Sequence, residues 1–77
     1  MQMVTGRIIV IQEERFRLVT DRGRGLLLTL SHQADVTVAD LRRWQETGQR
    51  VTVYYRGEPN LTSGAAYSLH EAEPAVA

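Results

Sequence analysis

Cysteine and lysine are both absent from this 77-residue chain, only five residues are aromatic, and no apolar window approaches the length of a membrane span. Without cysteine there is no disulfide, no thiolate metal ligand and no cysteine nucleophile, and the redox compartment stays open because the absence suits any of them. The start, MQMVTGR, has neither a charged n-region nor a following apolar stretch of signal-peptide length, so a cytoplasmic location is the expectation. A chain this short buries only about 60% of the surface exposed by its unfolded form, which leaves room for one small core and argues against a deep enzyme cleft.

What is present suits a folded domain. Hydrophobic residues make up 43% and charged residues 23%, away from the low-hydropathy, high-charge composition of disorder. Nine acids balance nine bases, but unevenly: residues 1–57 hold all nine arginines against six acids, and residues 58–77 hold three acids and no base. The body is mildly basic and the tail acidic. A pI near 6.7 argues against strong binding to phosphate backbones, since dedicated nucleic-acid domains more often exceed about 9. That every base is arginine has two readings: bidentate phosphate recognition, which arginine does better than lysine, or a GC-rich genome that favours arginine codons.

Hydrophobic periodicity divides the chain. MVTGRIIVIQ is rich in β-branched residues and carries Gly6 early, which suits a bend or bulge, so residues 3–12 read as a first strand. RFRLVT alternates, with Phe16, Leu18 and Thr20 on one face and Arg15, Arg17 and Val19 on the other; the arginines are expected to point outward. LLLTLS offers Leu26, Leu28 and Leu30 to the core, and Gly23 and Gly25 in DRGRG supply the backbone freedom of a short hairpin joining the second and third strands.

The period then changes. Thr37 and Asp40 form a capping box with Asp in place of Glu, Val38, Leu41 and Trp44 recur at three-residue spacing, and Gly48 provides a stop. A helix over Val38–Thr47 follows, with Trp44 as a core plug. RVTVYYR reads as the fourth strand, Val51, Val53 and Tyr55 inward and Thr52, Tyr54 and Arg56 outward. After the turn-rich loop GEPNLTSG, AAYSLHE reads as a fifth strand with Ala65, Tyr67 and Leu69 on its core side. Residues 1–71 are expected to form the domain and residues 72–77 a flexible acidic tail.

Three strands, a helix and two strands in about 70 residues is the order of an all-β domain with one short helix, a five-stranded Greek-key OB-like barrel whose helix plugs one end. An SH3-like small barrel is the alternative. GRIIVIQEERFRLVTDRGRGLLLTLSH, GQRVTVYY and NLTSG together resemble bacterial translation initiation factor 1 and related small single-domain OB proteins over residues 4 to about 70. The resemblance implies that nucleic acid lies across the second and third strands, flanked by the 1–2 and 4–5 loops. The matching positions are Arg15, Arg17, Thr29, Tyr54 and Arg56, with the loop over residues 58–63.

Both flanking loops are nevertheless acidic, through Glu13 and Glu14 in one and Glu58 in the other, and Tyr54 is nearly alone as an outward aromatic. Single-strand binders usually combine a positive groove with stacking platforms. Arg22 and Arg24 in DRGRG join Arg15, Arg17 and Arg56 as a basic set that either grips a polyanion or simply solvates a small barrel. His32 and His70 have no metal-ligand spacing, Glu13 and Glu14 point apart on extended backbone, and Ser31, His32 and Asp35 lack the cleft that a hydrolase triad needs. No catalytic activity, cofactor or metal is expected.

Two functions follow, a non-catalytic module that weakly binds single-stranded RNA or DNA through the second and third strands, or a protein-interaction module. The latter would use Tyr54, Pro59 and Leu61 around the 4–5 loop and form a homo-oligomer or hold another protein.

Overall fold

The computed structural model describes residues 1–61 and 63–72. Its elements are β1 (Gln2–Gln12), β2 (Arg15–Thr20), β3 (Gly25–Leu30), α1 (Val38–Thr47), β4 (Arg50–Arg56) and β5 (Ala65–Glu71). The strands close into a barrel in the order β1-β2-β3-β5-β4, with β3 and β5 parallel and every other neighbour pair antiparallel. This is the five-stranded barrel with one helix between its third and fourth strands that the order of periodic segments implies.

Closure depends on the length and bending of β1. Its first half, Gln2–Arg7, pairs with β4, and its second half, from Gly6 to Gln12, pairs with β2. Gly6 is the pivot, opposite Thr20 on one side and Val51 on the other. A Cβ there would lie 2.1 Å from the Val19 carbonyl oxygen, so the absent side chain is what lets β2 approach. Three residues on, Ile8 faces Leu18 while Val10 faces Arg17, leaving Ile9 as the extra residue of a bulge.

The helix begins as its residues dictate. The Asp40 N–H donates to Thr37 Oγ1, the Thr37 N–H donates to Asp40 Oδ2 at 2.9 Å, and Gly48 ends the helix in the left-handed region at φ 70°. Leu41 and Trp44 enter the core beside Phe16, Leu18, Val51 and Val53, and the Trp44 indole N–H donates to Glu71 Oε2 at 3.2 Å. Each such large side chain, fully buried, stabilises the fold by roughly 1.5–3 kcal/mol.

Two expectations about facing are corrected. In β5 it is Ala66 and Leu69 that are buried, whereas Ala65 and Tyr67 are only partly so. The register explains it: Tyr54 faces Ser68 and Tyr55 faces Ala66, so Tyr67 is an unmatched bulge residue and the inward phase changes across it. Thr52, expected outside, is 9% exposed, and its hydroxyl lies 3.2 Å from that of Thr5 across the β1–β4 pair. The proposed tail beyond residue 72 lies outside the described residues.

Candidate functional site

The outer wall of β1, β2 and β3 is ordered in cross-strand rows. Val10, Arg17 and Leu27 face one another in one row, and Gln12, Arg15 and Thr29 in the next. Strand pleating sets Arg15 and Arg17 on one face about 6.5–7 Å apart. Between the rows runs a groove of about 400 Å³, with Arg15 and Arg17 beside Ile9, Val10 and Leu27 and the Phe16 backbone strand as its base. Both arginines are exposed, and among the described residues neither guanidinium has a carboxylate partner.

Two loops border this wall. In the 1–2 turn, Glu13 adopts φ 57°, the Glu14 carbonyl accepts from the Leu30 N–H at 2.7 Å, and the Glu14 carboxylate lies 3.5 Å from His32 Nε2. In the 4–5 loop, Asn60 at φ 70° donates its N–H to the Leu27 carbonyl at 2.8 Å, while its side-chain oxygen accepts the Leu27 N–H at 2.9 Å. This double clasp holds the loop against the start of β3 and leaves Leu61 exposed beside the wall.

Ile9 and Val10 are site residues absent from the sequence-derived set, and Asn60 belongs to it only as a member of the loop over residues 58–63. For Asn60 a signal existed, since asparagine tolerates positive φ and its amide imitates a backbone partner. For Ile9 and Val10 there was none, because the bulge that turns them outward is a property of the β1–β2 register.

The sequence-derived set is only partly gathered. Arg15, Arg17 and Thr29 share the wall. Arg56 belongs to the same row, from Thr29 to Ala65 to Arg56, but on β4, which does not adjoin β2, and its guanidinium lies 5.5 Å from the Tyr67 ring centre. Tyr54 is on β4 between Met3 and Ser68, with its ring 5.8 Å from that of His70. Since β4 adjoins β1 and β5, Tyr54 presents no platform next to Arg15 and Arg17. Arg22 and Arg24 stand on the 2–3 hairpin around Gly23, φ 85°, where they line a different cleft with Glu58 and Pro59.

Electrostatics also separates the arginines. Hydrogen bonds from the Arg50 guanidinium, reinforced by its charge and that of Arg7, hold the Asp21 carboxyl below its usual range. At Asp40 the Thr37 N–H, then Arg43, act in the same direction. A carboxylate with a lowered folded-state pKa contributes stability above its unfolded value and loses it as pH falls through the folded one. Melting temperature is therefore expected to be flat near neutrality and to drop below about pH 4. Asp21→Asn should flatten that acid limb in part, Asp40 accounting for the remainder; an acid limb identical to that of the wild type would show that the Arg50 pair contributes nothing.

Among the described residues no three His, Asp or Glu side chains form a group fit to hold a metal ion, and no helix is long and apolar enough to cross a membrane. Comparison of the chain with family models, curated proteins and solved structures gives no match. The wall offers two guanidinium groups at strand spacing, neither with a carboxylate partner among the described residues, and an apolar strip on either side.

Proposed function

We propose that this protein is a non-catalytic OB-like binding module that weakly holds single-stranded RNA or DNA across the β1–β2–β3 wall. The observation that carries the reading is the pair Arg15 and Arg17, side by side on β2 and without carboxylate partners among the described residues. Arginine suits phosphate because its planar fork donates two hydrogen bonds at once. The resemblance to bacterial translation initiation factor 1 supports the same face, and a cytoplasmic setting goes with it. With Tyr54 on β4, stacking adds little, and the grip is mainly electrostatic.

The expected behaviour is specific. If two phosphates are neutralised, affinity for a single strand falls roughly 15- to 20-fold between about 20 and 150 mM salt, following a slope of about −0.7 per phosphate. Fluorescence anisotropy of labelled single-stranded oligomers measures this, and the Arg15→Ala, Arg17→Ala double variant should lose the binding. Absent or salt-independent binding would remove the proposal.

A second reading, a protein-interaction module, is favoured by the exposure of Ile9 and Val10, 44% and 46%, in the same groove as Leu27. Leu61 and Pro59 lie in the adjoining loop. Light scattering that shows mass rising with concentration, and falling back in Val10→Ser or Leu61→Ser, would support self-association; a constant mass of one chain would exclude it.

A further inference from the structure

The helix closes one end of the barrel, because α1 joins the end of β3 to the start of β4. At the other end, where β3 starts and β4 finishes, a cleft of about 550 Å³ lies between the 2–3 hairpin, the first residues of β1 and the head of the 4–5 loop. No helix residue lines it. Its apolar side is formed by Val4, Leu26 and Tyr55, the last two nearly buried members of the barrel interior. The mouths of β-barrels are recurrent places for small ligands, and this volume falls within the usual range of such sites.

The polar side has a definite charge. Asp21 also borders the cleft but is held by Arg50. Arg22, Arg24 and Glu58 are left, none with a side-chain ion-pair partner among the described residues, and together they present one net positive charge. Tyr55 adds a directional group. It is 8% exposed, lines the cleft, and its hydroxyl makes no hydrogen bond within the described residues.

The hairpin that carries the arginines is well braced. Gly23 N–H donates to the Thr20 carbonyl, Thr20 N–H to the Arg24 carbonyl, and Asp21 N–H to the Thr5 carbonyl at 3.0 Å. The arginines are therefore presented from fixed backbone.

We propose that this cleft is a binding site for a small amphipathic monoanion, a flat apolar body bearing one carboxylate or sulfonate. The body rests on Val4, Leu26 and Tyr55, and the anionic group is held by Arg22 and Arg24. Glu58 faces the same space and disfavours a second negative charge, which distinguishes the cleft from a polyphosphate site. The site is separate from the β1–β2–β3 wall and stands or falls independently of it.

The test uses 8-anilinonaphthalene-1-sulfonate, a flat aromatic monoanion whose emission rises in apolar surroundings, titrated into the full chain. Saturation with one probe per chain is expected, weakened about tenfold in Arg22→Ala, Arg24→Ala and unchanged in Arg15→Ala, Arg17→Ala. Glu58→Gln should tighten binding. All these side chains are exposed, and circular dichroism confirms that each variant is folded before titration. Amide chemical-shift changes on probe addition should centre on Val4, Leu26 and the hairpin. Binding that survives loss of the hairpin arginines, or that is lost with the wall arginines instead, overturns the proposal, as does the absence of saturable binding.

Discussion

Gly6→Ala is expected to destabilise the protein by about 3 kcal/mol or more. The added Cβ would stand 2.1 Å from the Val19 carbonyl oxygen and 2.7 Å from the Thr20 Cα. Both contacts are with backbone, so no side chain can swing aside. Relief requires β2 to separate from β1 in the short stretch, Gly6 and Arg7, where β1 also pairs with β4, so the damage reaches both strand pairs. Gly25→Ala is the matched control: it lies in β3 at ordinary φ, and its Cβ would meet nothing within 4 Å. That variant should be neutral or slightly stabilising through a less flexible unfolded chain. Urea unfolding followed by far-ultraviolet circular dichroism compares the two, and equal midpoints would refute the pivot assigned to Gly6.

Trp44→Ala ranks second, with an expected loss of about 3–5 kcal/mol. Trp44 is 5% exposed in the core cluster and also donates to Glu71, so the variant leaves a cavity under the helix and releases the C-terminal end of β5. For a domain of this size that loss is comparable with the whole stability, which for small proteins begins at about 5 kcal/mol. Trp44→Phe should retain most of the packing and lose chiefly the hydrogen bond, about 1 kcal/mol. Because Trp44 is the single tryptophan, circular dichroism or calorimetry is the appropriate readout. If the alanine variant lost less than about 1 kcal/mol, α1 would be a surface appendage and not a plug.

Much of the architecture was legible along the chain because its signals are local. Thr37, Asp40 and Gly48 bound the helix through hydrogen bonds and a backbone angle set within a few residues. Alternation in RFRLVT and RVTVYYR marks strands whose inner residues, Phe16, Leu18, Val51 and Val53, are fully buried. Alternation failed in AAYSLHE, where a strict period of two put Ala65 and Tyr67 inside. The bulge at Tyr67 exists only against β4, and no feature of β5 by itself announces it. The same holds for the apolar run IIVI in β1, which the bulge at Ile9 divides into a buried Ile8 and exposed Ile9 and Val10.

The arginines separate along the same line. That Arg15 and Arg17 share a face follows from the chain alone, because residues two apart on a strand must, and so does the glycine between Arg22 and Arg24 in a hairpin. Which of them lie together is a matter of the barrel: Arg56 and Tyr54 stand on β4, which adjoins β1 and β5 but not β2, and the hairpin sets Arg22 and Arg24 on a cleft of their own. Local preference acts over a few bonds, whereas a shared binding surface depends on register and closure, which arise from pairing between residues distant in the chain.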